Sequence, residues 1–277
     1  MNQKRINMTR KRYALCVRYD GARYHGWQRQ DSPEDLITVQ LMVEKALSQV
    51  AHHPVLVTCA GRTDARVHAT GQIIHFDTDA DRTDHAWVFG ANSNLPQDIT
   101  VLWAQEVPLD FHARFSAVSR RYRYLLYNYP VRPGILRHAV GWYHTTLDDQ
   151  AMRDASMCLV GEHDFSSFRG AGCQSKSPVR HIKEISILRQ RHMLIIELEA
   201  NAFLLHMVRN IVGVLVQVGS NRQPVEWVST VLEARDRKAA AQTIAPHGLY
   251  LVKVDYPEAF NVPDAPIGPF FLPDLLV

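Results

Sequence analysis

The apolar pattern of residues 12–107 switches repeatedly between strand and helix periods, and the order of those switches is what most limits the folds open to the chain. Arg12 to Tyr19 reads as a strand, and Val39, Val43, Ala46, Leu47 and Val50 recur at helical spacing within a segment from about Leu36 to Val50. Val55 to Ala60 is a short β-branched run that reads as a buried strand, and Val67 to Thr78 is a second extended segment. Asp84 is placed to cap a helix through Trp87 and Phe89 that stops at Asn92-Ser93-Asn94, and Ile99 to Val107 closes the set as a strand. The order β-α-β-β-α-β is that of a ferredoxin-like unit, the topology also used by RRM domains.

The same order recurs further along. Ser119 to Asn128 is a strand with alternating Tyr122 and Tyr124, Asp148 to Leu159 a helix, and Val179 to Arg189 and Met193 to Ala200 paired strands. Phe203 to Val218 is an apolar helix, Val225 to Gln242 an added helical piece, and Leu249 to Asp255 the last strand. This predicts an α+β protein of two ferredoxin-like (RRM-like) domains, duplicated in architecture without sequence repetition. The expected division is a basic tail over 1–11, one domain over 12–116 and a second over 117–277, which ends in a proline-rich tail packed on the surface.

At 277 residues the chain is long enough for two cores. A charged fraction of 21% and a hydrophobic fraction of 46% exclude intrinsic disorder, and a net charge of +3 permits a polyanionic partner without demanding one. The four cysteines show no Cys-x-x-Cys spacing, which predicts a reduced, cytoplasmic protein. The histidines define no zinc site, so no metal is expected. The apolar window Ile211 to Val218 is far below a membrane span, and the basic N-terminus lacks the apolar region of a secretory signal.

Chemistry concentrates in Ala60-Gly61-Arg62-Thr63-Asp64-Ala65, which sets a carboxylate on a glycine turn between two extended segments. Taken alone, Asp64 is either an Asx-type turn residue bonded to its own backbone or a displayed nucleophile. A buried carboxylate needs a fixed cation to stay charged, and two arginines compete for that role. Arg62 is adjacent in sequence. Arg209 lies with His206, Asn210 and Gln217 in a narrow polar stripe on an otherwise apolar helix, where a buried arginine needs a carboxylate partner.

Tyr19-Asp20-Gly21, Tyr24-His25-Gly26-Trp27-Gln28-Arg29-Gln30, the Asp64 loop with Val67-His68-Ala69 and Gly71-Gln72, Phe111 to Ala117, Arg121-Tyr122-Arg123-Tyr124, Asp164-Phe165 with Ser167-Phe168-Arg169, and Phe203 with His206 to Asn210 occur in that order. Together they resemble the tRNA pseudouridine synthase A family from about Tyr13 to Tyr256. The resemblance implies two domains flanking a central RNA-binding cleft, and a homodimer that isomerises uridine to pseudouridine at positions 38, 39 and 40 of the tRNA anticodon stem-loop without a cofactor. It implies that Asp64 is the nucleophile and that Arg209 pairs with it across the two halves. It makes Arg62 the residue that helps extrude the target base, Tyr122 the face against the uracil and Leu249 an apolar wall of the pocket. Phe111, His112, Ala113, Arg114 and Phe115, with Gln174, Ser175 and Lys176 of the polar loop 170–178, fall where the family contacts tRNA. Basic residues Arg120, Arg121, Arg123 and Arg180 are further candidates for phosphate contacts. One position departs from the family pattern: Arg66 stands where the family has glycine. If the backbone there is left-handed, an arginine costs on the order of 1 kcal/mol.

Two other readings compete. A non-catalytic RRM-like RNA-binding protein would follow if Arg66 disabled the loop. An aspartate-dependent glycosidase needs a second carboxylate as general acid, and the Asp64 loop offers none nearby.

Overall fold

The computed structural model describes residues 10–30 and 36–272. In the N-terminal half, β1 (Lys11–Tyr19), α1 (Val39–Ala51), β2 (Thr58–Cys59), β3 (His68–Thr78), α2 (Asp84–Asn94) and β4 (Ile99–Val107) follow the expected order. The run expected as a strand over Val55 to Ala60 shrinks to β2. The backbone of Val55 and Val57 donates instead to the Ser48 hydroxyl (2.9 Å) and to Glu44 Oε1 (3.1 Å) on α1. Thr38, extended at φ −122°, caps α1 through its hydroxyl, so that helix starts later than Leu36. Thr83 caps α2 through the amide of Ala86, and Asp84 sits in the first turn, where its charge complements the helix dipole.

The second half runs β5 (Ser119–Asn128), β6 (Gly141–Tyr143), α3 (Asp149–Ser156), β7 (Gly161–Asp164), β8 (Val179–Gln190), β9 (Met193–Ala200), α4 (Met207–Gly219), α5 (Trp227–Ala234) and β10 (Leu249–Asp255). The short strands β6 and β7 were not expected. The helix expected from Phe203 starts four residues late, because His206 takes a left-handed conformation (φ 60°) and residues 203–206 stay outside the helix.

All ten strands join one sheet in the order β4-β1-β3-β10-β5-β9-β8-β7, with β2 on β3 and β6 on β5. Every pairing is antiparallel except β5 with β6 and β3 with β10, the latter matching Tyr250 to His68 and Leu251 to Ala69. Since β1 occupies one edge of β3, β10 and β2 share the other: β10 takes its first residues, and β2 pairs at Ile74 and His75. The loop carrying Asp64 leaves β2 and enters β3 at this seam, so one side of the loop faces elements of the C-terminal half.

One large core, including Trp27, Trp87, Phe76, Tyr124 and the apolar face of α4, lies against the sheet. A smaller cluster of Leu125, Val140, Ile195, Tyr250 and Val252 receives Phe271 and Leu272 of the proline-rich tail, which crosses Arg18 and Arg123 through the carbonyls of Pro266 and Gly268. The proposed basic tail lies outside the described residues up to residue 9, and Lys11 already belongs to β1. Among the described residues, no helix is long and apolar enough to cross a membrane.

Candidate active site

The loop 60–67 is fixed from three directions before its carboxylate meets anything. Gln72, fully buried on β3, clamps Gly61 by accepting from its amide (3.3 Å) and donating to its carbonyl (2.5 Å). The Thr63 hydroxyl meets the buried Tyr19 hydroxyl at 2.8 Å, and the Thr63 carbonyl accepts from the Trp27 amide at 3.0 Å. Gly26 makes the last contact possible. It sits at φ +92°, and a Cβ there would come within 2.8 Å of the Thr63 carbonyl. The Tyr24-His25-Gly26-Trp27 motif is therefore a buttress beneath the loop, with Trp27 buried against Tyr19.

Asp64 projects toward α4. Its Oδ2 accepts from Arg209 Nη1 at 3.1 Å, and His206 Nε2 lies 3.5 Å from the same oxygen. Arg209 is itself held, since its Nε donates to the Ile244 carbonyl at 2.9 Å. Of the two competing arginines, the structure pairs Arg209 with the carboxylate. Arg62 turns outward and donates to Gln174 Oε1 at 3.2 Å, bridging the Asp64 loop to the loop 170–178.

Tyr122 lies beside this pair. A Cβ on Gly61 would sit 3.5 Å from its hydroxyl, and its ring meets Phe203 edge-on at 5.0 Å. Burial, reinforced by the charge of Asp64, pushes its phenol well above the ordinary range, so it stays neutral as a flat apolar face. Leu249 is buried opposite Tyr124 in the β10–β5 ladder; Leu251, on the same face two residues on, is the side chain that approaches Gly61.

The residues expected on the RNA surface divide sharply. Phe111 and Ala113 are wholly buried, Phe111 against His75, Tyr256 and Phe260, so they hold the loop and cannot touch a ligand. His112, Arg114 and the exposed Phe115 do present surface, with His112 stacked on Phe115 and the Arg114 guanidinium 5.5 Å from that ring. Gln174 and Lys176 are exposed, and Ser175 is half-buried where Arg180 and Arg169 tie the loop together. Arg120, Arg121 and Arg123 are engaged by partners within the protein. Arg120 is buried and donates to the carbonyls of Ala60, Arg114, Ala117 and Asn201. Arg121 pairs with Glu197 and Glu199, and Arg123 with Glu197. Alternation along β5 was visible in the sequence, but the acidic partners on β9 that consume these charges were not.

Against known proteins, the tRNA pseudouridine synthase family model matches residues 15–116 and 155–257. The chain belongs to the tRNA pseudouridine synthase family. The synthase is 61% identical over 262 residues to a tRNA pseudouridine synthase A of Coxiella burnetii, covering 95% of this chain and 99% of that one. It is 55% identical to the protein of that name in Vibrio parahaemolyticus, covering 96% and 99%, and 53% identical to that of Shewanella amazonensis, covering 95% and 100%. It is an isomerase that acts on tRNA. The crystal structure of a Cbf5-Nop10-Gar1 complex aligns at a TM-score of 0.37 with 8% identity, over 86% of this chain and 57% of that chain, which is too weak to carry an argument.

Sequence reasoning placed His206 in the polar stripe of α4 but gave it no role; its i, i+3 spacing to Arg209 was the available signal. It missed Gln72, whose clamp depends on the register of β3. Arg66 sits at φ +65°, so this chain does carry an arginine in the left-handed position, with its amide donated to the Tyr24 carbonyl. The loop keeps its shape all the same, held by the contacts of Gly61, Thr63 and Asp64. Among the described residues, no group of three or more His, Cys, Asp or Glu side chains is placed to hold a metal ion.

Proposed function

We propose that the synthase isomerises uridine to pseudouridine at positions 38, 39 and 40 of the tRNA anticodon stem-loop, with Asp64 as nucleophile and Arg209 as its counter-ion. The single observation that carries this reading is the ion pair between Asp64, on the N-terminal half, and Arg209, on the C-terminal half, beside the buried face of Tyr122. The reaction breaks the bond from uracil N1 to ribose C1′ and joins C5 to C1′. The proton on C5 leaves and N1 gains one, so nothing is oxidised and no cofactor is consumed. Asp64 supplies the electron pair that begins this exchange, at C1′ or at the uracil ring. Arg209 holds the carboxylate in place through Nη1, 3.1 Å from Oδ2. Tyr122 offers a stacking face to a uracil taken out of its stack, a step that costs a few kcal/mol, and Arg62 reaches toward the space the base vacates. Leu249 adds an apolar wall.

The exposed Arg114, Phe115, Gln174 and Lys176 with the half-buried His112 and Ser175 are the RNA-contacting set, with Phe111 and Ala113 as its support. The two ferredoxin-like domains are 12–116 and 117–277. Strand order supports the division, because β4-β1-β3-β2 and β10-β5-β9-β8 repeat one antiparallel arrangement. A homodimer is supported by the exposed apolar side chains of Val131, Ile135 and Trp142. A cytoplasmic location is supported by four cysteines that are all unpaired.

The test is tritium release from tRNA carrying 5-tritiated uridine, since forming the carbon–carbon bond expels the hydrogen at C5. Asp64→Ala is expected to reduce release to background while tRNA binding survives. Release at the wild-type rate by Asp64→Ala would remove Asp64 from the chemistry.

A further inference from the structure

We propose that His206 is a positioning residue for the nucleophile, which grips Asp64 Oδ2 together with Arg209 so that Oδ1 is the oxygen that attacks. The proposal rests on the reading of Asp64 as nucleophile. Both cation-capable side chains converge on one oxygen, Arg209 Nη1 at 3.1 Å and His206 Nε2 at 3.5 Å, and among the described residues Oδ1 has no hydrogen-bond donor. With Oδ2 bonded to Arg209 and faced by the His206 ring, rotation of the carboxylate is restrained and the lone pairs of Oδ1 keep one direction. At 3.5 Å the His206 contact is long for a hydrogen bond, which is usual for catalytic contacts before substrate closes the site.

The backbone at His206 is an independent sign. The helices α1, α2 and α3 start at Thr38, Thr83 and Asp148, each extended and each accepting a backbone amide with its side chain. Neither α4 nor α5 has such a cap, and of the five described α-helices α4 alone begins at a left-handed residue. His206 is left-handed at φ 60° and ψ 3°, and its side chain makes no capping bond. Left-handed non-glycine residues are common where helices end, as at His52 and Arg235 here, and unusual where they begin. The left-handed residue closes a turn in which the Met207 amide donates to the Leu204 carbonyl at 3.1 Å, and that turn aims the imidazole at Asp64. Its other nitrogen is walled by the loop opposite: a Cβ on Gly170 would lie 2.9 Å from Nδ1, so the ring is held between that backbone and the carboxylate.

In the reaction, the Oδ1 lone pair forms the bond to the substrate. The displaced pair moves onto the uracil ring whether the attack falls on C1′, breaking the bond to N1, or on the ring itself. Arg209 and His206 act through Asp64 and touch neither atom.

The experiment compares single-turnover tritium release and tRNA affinity for wild type, His206→Asn and His206→Gln, with Asp64→Ala as control. Asparagine accepts the left-handed backbone but its amide falls short of Asp64, whereas the glutamine amide reaches about as far as Nε2. Expected is a fall of about tenfold or more in the chemical step for His206→Asn, with affinity unchanged within about twofold, and recovery of most of that loss in His206→Gln. Wild-type rates in His206→Asn would overturn the proposal. So would equal losses in both variants, or a loss confined to affinity, which would make His206 an RNA ligand. If Asp64→Ala keeps full release, the nucleophile reading fails first, an outcome separate from any effect at position 206.

Discussion

Two residues beside Asp64, Arg66 at φ 65° and His206 at φ 60°, adopt a backbone that non-glycine residues occupy at a cost. At His206 the side chain has a partner that justifies the strain. Arg66 is exposed, and among the described residues only its amide makes a hydrogen bond, to the Tyr24 carbonyl, which glycine makes equally well. Arg66→Gly is therefore expected to stabilise the fold by about 0.5 to 1 kcal/mol, the relief of the left-handed backbone less the extra freedom glycine gains in the unfolded chain. Calorimetry should show a rise in Tm of about 2 °C, with tritium release retained. A fall in Tm would mean that the Arg66 side chain makes a stabilising contact. That Asp64, Tyr122 and Arg209 gather at one place was legible from their motifs. The burial of Phe111 and Ala113 was not, because an apolar residue inside a motif looks the same whether it faces a ligand or supports those that do.

At the scale of elements, β3 and α4 do most to shape the site. On α4 the wholly buried Asn210 donates to the Phe168 carbonyl at 2.7 Å and accepts from Thr243 at 2.6 Å and Arg237 at 3.1 Å. This network fixes the segment around Ile244, whose carbonyl holds Arg209. On β3, His75 accepts the amide of Ala113 through Nδ1 at 3.1 Å and so anchors the loop that presents Arg114 and Phe115. Burial, aided by the nearby Arg12 and His112, lowers its pKa to about 4. The unfolded chain, with His75 near 6.5, then binds more protons than the folded one in between. The associated stability is complete above pH 6.5 and is lost as pH falls toward 4, on the order of 3 kcal/mol in all. Urea denaturation at pH 7, 6 and 5 should show this slope in the wild type and less of it in His75→Gln. Parallel slopes in the two proteins would show that His75 is not the titrating group. Helix positions were readable from periodicity, but the length of β2 was decided by bonds to α1 and the start of α4 by the left-handed backbone at His206.

For the whole molecule, the pairing of β3 with β10 makes one continuous sheet, and the candidate active site sits on that seam. Arg209 and Asp64 belong to different halves, so neither half alone contains their ion pair. Unfolding is expected as a single transition in which far-ultraviolet and near-ultraviolet signals coincide, since opening the seam exposes apolar surface on both sides. Two separated transitions would show that each half holds its structure independently. What the sequence by itself determined was the order of elements, their repetition and the types of residue available for chemistry, because local periodicity and turn chemistry are written in neighbouring residues. Only the tertiary structure decided which arginine meets Asp64, which basic residues are taken up by internal ion pairs, and that His206 turns toward the carboxylate. Those outcomes depend on strand register and on partners more than a hundred residues away in sequence, such as Arg209 for Asp64, and chain-local patterns carry no record of either.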